Sequence, residues 1–164
     1  MFTESTIEAN NKKEFYRALH SQLEHLLEGE PNAIANLSNM SSLLGLYLKD
    51  INWVGFYLWS ESDNQLILGP FQGKPACIRI PFGKGVCGAA ARDRRTTVVE
   101  DVFAFPGHIA CDPASRSEIV VPIVIEGRLI GVLDIDSPVQ ARFDAEDQAG
   151  LEELVSVLVR HTSF

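Results

Sequence analysis

Ser117-Glu118-Ile119-Val120-Val121-Pro122-Ile123-Val124-Ile125, then Glu126-Gly127, then Arg128-Leu129-Ile130-Gly131-Val132-Leu133-Asp134-Ile135-Asp136 is the most apolar strand pair of the chain. β-Branched residues dominate both arms, and Glu126-Gly127 interrupts them. The pattern predicts a β-hairpin of residues 117–125 and 129–136. Both arms are apolar on both faces, which places them at the centre of a sheet.

Three carboxylates break that pattern. Asp134 and Asp136 lie two residues apart, so they share one face of their strand, and Glu118 lies near the start of the other arm. A charge inside such a strand is costly unless it is paired or sits at the rim. Asp136 as a solvated strand end and Asp134 as a backbone cap would be the plain explanation. Register decides whether the three meet. A two-residue turn sets Ile125 opposite Arg128 and Glu118 opposite Ile135, on the wrong face. A three-residue loop, or a bulge near Pro122, sets Glu118 opposite Asp136 and beside Asp134. Convergence is the expectation. Three carboxylates on one face would raise the pKa of at least one, which then holds a proton near neutral pH. Such a cluster could also hold an ammonium group.

Upstream, Pro106-Gly107-His108-Ile109-Ala110-Cys111-Asp112-Pro113 lies in a long loop, Asp101 to about Arg116. Asp112-Pro113 predicts an N-cap and first helical position, with Cys111 just outside a helix N-terminus that favours its thiolate. Cys87, in Gly83-Lys84-Gly85-Val86-Cys87-Gly88, is also near a predicted helix start and rivals Cys111 as a nucleophile. Cys77 falls in a predicted strand, Ala76–Ile80, on the face away from Ala76, Ile78 and Ile80. Metal is not expected, because His108-x-x-Cys111 is the only close ligand pair. Buried inert cysteine remains open for each thiol taken singly. A thiolate beside a proton-donating carboxyl group suits the reduction of an oxide. His108 is either a loop hydrogen-bonder or a thiolate partner, whereas His20, His25 and His161 read as surface residues of the terminal helices.

The remaining chain supplies the frame. Residues 3–28 predict one helix, and Pro31 opens a second that is weakly patterned, with a break, over Asn32–Ser42. Strands follow at residues 51–59 and 65–69, and at 96–100. A short helix ends near Asp93, and Asp144 caps a final helix carrying Leu151, Leu154, Val155 and Leu158. The glycines near Lys84 do not complete a phosphate loop. Helices at both ends of a mostly antiparallel sheet make an α+β, helix-on-sheet protein. At 164 residues, a single domain spanning 1–164 is expected. A net charge of −8 argues against a nucleic-acid surface. No apolar run is long enough for a membrane span, and Met1-Phe2-Thr3-Glu4 does not open a secretory signal, so a cytoplasmic location is expected. Three cysteines, an odd number, do not suggest a secreted disulfide scaffold.

Asn52-Trp53-Val54-Gly55-Phe56-Tyr57, Gly69-Pro70-Phe71-Gln72-Gly73-Lys74-Pro75-Ala76-Cys77, Gly83–Gly88, His108–Asp112 and Leu133-Asp134-Ile135-Asp136-Ser137 together resemble the free methionine-(R)-sulfoxide reductases, a family built on one GAF domain. The resemblance covers about residues 10 to 160, and all three cysteines fall inside its motifs. It implies a GAF-like six-stranded antiparallel sheet flanked by N- and C-terminal helices, no cofactor, and a homodimer. It implies that Cys111 attacks the sulfoxide sulfur and becomes a sulfenic acid, that Cys77 condenses with it, and that Cys87 is an additional thiol. Thioredoxin would restore the thiols. Glu118, Asp134 and Asp136 match the family's acidic residues around the substrate, and Trp53 its aromatic wall.

Two other readings compete. A GAF-type sensor would bind a small ligand or switch by disulfide formation without turnover, and would not need the acid cluster. A structural dimer with inert cysteines would be silent to every Cys→Ser change.

Overall fold

The hairpin closes on two residues. Strand β5 (Ser117–Ile125) meets β6 (Arg128–Ser137) with Ile125 opposite Arg128. Glu126 and Gly127 both carry positive φ, 50° and 77°, the conformation of a turn whose twist matches the strands it joins. That turn alone would put Glu118 on the wrong face. The register then shifts by one, from Val124 opposite Leu129 to Ile123 opposite Gly131, leaving Ile130 as an extra residue on β6. Beyond this bulge Pro122 faces Val132 and Glu118 faces Asp136.

These are features of a computed structural model that describes residues 2–164. Met1, the first residue of the expected 1–164 domain, lies outside the described residues. Four further strands complete the sheet: β1 (Trp53–Ser60), β2 (Gln65–Gly73), β3 (Arg79–Pro81) and β4 (Thr97–Val99). The order is β3-β2-β1-β6-β5-β4, and every pairing is antiparallel. The long apolar strands β1, β5 and β6 are central, as their two-sided hydrophobicity requires.

One face of the sheet is covered by α1 (Lys12–Leu27), α2 (Ala33–Tyr47) and α4 (Ala145–His161). Val54, Phe56, Ile119, Val121, Leu133 and Ile135 point into this larger core. The opposite face carries Trp53, Tyr57, Val120 and Val132, and α3 (Gly85–Asp93) packs on it through Val86, Cys87, Ala90 and Ala91. Among the described residues, no helix is long and apolar enough to cross a membrane.

Several boundaries differ from expectation, each for a local reason. The first helix starts at Lys12 rather than residue 3, because the Asn11 side chain accepts from Glu14 N at 2.9 Å and ends the helix there. The second helix has no break. Its weak pattern arises because Asn36 and Ser41 are buried and hydrogen-bonded: Asn36 Nδ2 donates to Glu30 O at 2.7 Å and Ser41 Oγ to Leu37 O at 2.7 Å. Residues 76–78 leave the sheet, so Cys77 is not a strand residue and Ile78 is exposed. Pro113 opens no helix. Asp112 Oδ1 instead accepts from Ala114 N at 2.9 Å and closes an Asx-type turn. Cys111 therefore does not precede a helix of its own loop. Asp144 caps α4 as expected, through a capping box with Asp147. Asp147 itself is buried and takes Tyr16 Oη at 2.7 Å and Lys12 Nζ at 2.5 Å, tying α4 to α1.

Candidate active site

Alternation along β1 and β6 builds the floor of a cavity on the α3 side of the sheet. Trp53 pairs with Asp136 and Gly55 with Asp134, while Glu118 pairs with Asp136 from the other side. The three carboxylates converge on one face, and all three line the cavity. Gly55 is required there. A Cβ on it would stand 2.3 Å from Phe71 Cβ and 2.8 Å from the Trp53 ring. Its absence lets Trp53 stack on Phe71 at 5.3 Å and on Tyr57 at 5.8 Å between ring centres. Trp53 is thus a rigid aromatic wall directly beside the acids.

The N-terminal turn of α3 and two loops form the other walls. Ile109, from the Cys111 loop, lies over Gly85, where an added Cβ would be 3.1 Å from it. At the rim Cys77 and Cys111 are joined by a disulfide, with their Cα atoms 5.7 Å apart across 34 residues of sequence. Cys111 is solvent-exposed, so the bond can be reached from outside.

Cys87 is separate from that pair. It is a free, buried thiol whose Sγ donates to Glu118 Oε1 at 3.8 Å. Burial, then the neighbouring Asp134 and Glu118 carboxyl groups, push its pKa well up. The expectation has Cys87 rival Cys111 as a nucleophile; its position and electrostatics hold Cys87 as a thiol. The sequence shows a helix start at Cys87 but not the acids that oppose its ionisation.

The acids themselves titrate late. Burial, then Asp134 and Asp136, raise Glu118 well above the carboxylate range. Burial raises Asp134 to about 6, against hydrogen bonds from Glu118 and Cys87 that pull it down. Burial, then Asp134 and Asp112, raise Asp136. No lysine or arginine forms an ion pair with any of them among the described residues. The group therefore carries at least one proton near neutral pH, as like charges in a dry pocket require. Asp134 Oδ1 is buried without a protein hydrogen-bond partner. Donor atoms of Cys87, Glu118 and Asp134 lie within 4.8 Å of one another, close enough to surround one small cationic or proton-accepting group. Cys111 of the His108-x-x-Cys111 pair is bonded to Cys77. His108 lines the cavity, burial lowers its pKa, and its Nδ1 has no partner. It is a neutral imidazole.

Sequence reasoning passed over Tyr57, Asn52 and Lys74. Tyr57 Oη donates to Cys77 O at 2.9 Å, Asn52 Nδ2 to Asp112 Oδ2 at 3.3 Å, and Trp53 Nε1 to Lys74 O at 3.1 Å. Tyr57 shares a strand face with Trp53 four residues earlier, and that alternation was visible. The other two are loop contacts without a periodic signal.

Comparison with known proteins agrees with this arrangement. A GAF domain model matches residues 23–160. The chain is 54% identical to the free methionine-R-sulfoxide reductase of Escherichia coli over 148 residues, covering 90% of this chain and 88% of that protein. It is 48% identical to the yeast (Saccharomyces cerevisiae) free methionine-R-sulfoxide reductase over 160 residues, covering 94% and 89%. The crystal structure of the Neisseria meningitidis free methionine-R-sulfoxide reductase in complex with its substrate superposes with a TM-score of 0.91 at 46% identity, covering 95% of this chain and 93% of that one. The chain belongs to the GAF-domain family of free methionine-R-sulfoxide reductases.

Proposed function

We propose that this protein reduces free L-methionine (R)-sulfoxide to L-methionine by thiol chemistry. The observation that carries the reading is the Cys77–Cys111 disulfide at the rim of a cavity floored by Glu118, Asp134 and Asp136. Cys111 is the nucleophile. Its thiolate attacks the sulfoxide sulfur, the oxygen takes up one proton and passes to the Cys111 sulfur as both substrate bonds, S–O and the transient S–S, break, and methionine leaves with the electron pair. The oxygen ends on Cys111 as a sulfenic acid. Cys77 then attacks that sulfur, forming the disulfide and releasing water. Two thiols and one sulfoxide thus become one disulfide, one thioether and one water.

Glu118, Asp134 and Asp136 bind the polar end of the substrate, and the protonated member of the group supplies a proton to the oxygen. Trp53 walls the S-methyl group. Cys87, held as a thiol, is an auxiliary group rather than the attacking one. Thioredoxin, a dithiol protein, reopens the disulfide by exchange at the exposed Cys111. We read residues 1–164 as one GAF-like domain, acting in the cytoplasm as a homodimer. The uncharged outer face of α2, with Ile34 and Leu46 exposed, is a surface suited to a second copy.

The test is NADPH consumption with thioredoxin and thioredoxin reductase, offering separated epimers of free methionine sulfoxide. Turnover of the R epimer alone is the expected result. No turnover of either epimer by enzyme with reduced thiols would favour the sensor reading.

A further inference from the structure

Adjacent residues at the start of β1 each hold one of the two cysteine-bearing segments. Asn52 Nδ2 donates to Asp112 Oδ2 at 3.3 Å and Ser115 Oγ at 3.1 Å, so it grips the residue next to Cys111. Trp53 Nε1 donates to Lys74 O at 3.1 Å, three residues before Cys77. Asn52 is itself fixed to the sheet, since its backbone N donates to Asp136 O at 2.9 Å. Lys74 Nζ lies 3.7 Å from Asp112 Oδ2 and links the two segments directly. At its cysteine, neither loop is in a strand.

We propose that Asn52 is a positioning residue for the resolving step: through Asp112 it holds the Cys111 segment at the distance from Cys77 that disulfide formation needs. This rests on the reading of Cys111 and Cys77 given above. In that step Cys77 sulfur bonds to Cys111 sulfur, the S–O bond of the sulfenic acid breaks, and the oxygen leaves as water with both protons. The reaction is intramolecular, and its rate depends on how often two loop-borne sulfurs meet in line. Attack on the sulfoxide has a different demand. It needs Cys111 over the acids, and Ile109 packed on Gly85 closes that side of the loop without Asn52.

Asn52→Ala should leave the single-turnover rate of methionine release within about twofold. Disulfide formation should slow about tenfold, the effect of one hydrogen bond to a charged group. Sulfenic acid should then accumulate on Cys111, trapped by a dimedone-type carbon nucleophile and located by mass spectrometry. Asn52→Asp sets two carboxylates together and should be slower still. Combining it with Asp112→Asn exchanges donor and acceptor and should restore most of the rate. A merely structural role would not give that rescue. Running the same measurement with hydrogen peroxide as oxidant, which gives Cys111 sulfenic acid and water, keeps the outcome independent of the sulfoxide substrate. Equal slowing of methionine release and disulfide formation, or no trapped sulfenic acid, would overturn the proposal. So would a double variant no faster than Asn52→Asp. If Asp112→Asn instead weakens substrate saturation with disulfide formation unchanged, Asp112 is a substrate ligand and the proposal fails.

Discussion

Glu118 and Asp136 stand directly opposite each other across the β5–β6 ladder, with Asp134 one pleat away on the same face. Among the described residues no lysine or arginine is paired with them, and burial and mutual repulsion hold protons on the group. If that proton is delivered to the sulfoxide oxygen, the methionine-forming step requires the protonated form. It is present below the raised pKa and lost as pH rises through it. The single-turnover rate should therefore decline on the alkaline side. The apparent pKa will belong to the cluster and not to one residue. Glu118→Gln should flatten the profile and cut the rate at least about a hundredfold. An unchanged profile in that variant would remove Glu118 from proton transfer.

The same geometry makes the site a liability for folding. Asp134 titrates at about 6 when folded, above its ordinary value, so the folded state loses stability as pH rises from the ordinary carboxylate range through 6. Asp134→Asn removes that penalty. The variant should be more stable by about 3 kcal/mol at pH 8. The gain should shrink below pH 6 and vanish only below the ordinary Asp value, toward pH 3, where Asp134 is protonated in both states. Thermal denaturation at both pH values checks this, together with a fall in reductase activity. Equal stability of the two proteins at pH 8 would mean that Asp134 is not strained.

Cysteine substitutions should separate the three thiols. Cys111→Ser should release no methionine. Cys77→Ser should release about one methionine per site and then stall, because the sulfenic acid has lost its partner. Cys87→Ser should still close the Cys77–Cys111 bond, which forms without it in this structure. Methionine release and thiol counting in single-turnover mixtures distinguish these cases. Full multiple turnover by Cys77→Ser with thioredoxin would assign the resolving role to Cys87.

The sheet was legible because its signals are local and strong. The apolar arms of β5 and β6 gave their own centrality, and the bulge beside Pro122 was one of the two ways to bring Glu118 to Asp136. It lies on β6 at Ile130, whereas the loop is the two-residue kind that alone misdirects Glu118. What escaped notice is set by long-range contact. Asp112-Pro113 has the chemistry of a helix start, yet Asp112 is held by Asn52 and Ala114 and no helix follows. Residues 76–78 have strand chemistry, yet Tyr57 and the disulfide draw Cys77 out of the sheet. Asn36 and Ser41 hid the continuity of α2, because a buried polar residue with a partner looks the same in sequence as an exposed one.

Gly131 tests the register on which the site depends. It pairs with Leu58 of β1 and with Ile123 of β5 at the bulge. A Cβ there would stand 2.2 Å from Tyr57 O and 3.0 Å from Leu58 Cα. Those are backbone atoms of a central strand and cannot turn aside. Gly131→Ala should cost about 3 kcal/mol or more. The damage should reach the site, because Tyr57 also carries Cys77 O. Chemical denaturation and activity should fall together. A stable, active Gly131→Ala protein would refute this β1–β6 register.

At the far side of the molecule, Asp144 caps α4 and accepts from Lys12 Nζ at 2.8 Å. The Lys12 ammonium, joined by backbone donors from Asp147 and Glu146, holds its carboxyl down to about 2. A lowered carboxyl stabilises the fold above its unfolded value near 4 and loses that effect as pH falls through its folded value. Asp144→Ala should cost about 1 kcal/mol at pH 7, mostly through the lost cap. The ion-pair share is small, because Asp144 is more than half exposed and solvent screens it. The difference from the parent protein should narrow between pH 4 and 2 and be salt-sensitive only above that window. Activity per folded molecule should not change, since Asp144 lies on the helical face of the sheet, away from the cavity. A difference that instead widened on acidification would show that Asp144 is not ionised in the folded protein.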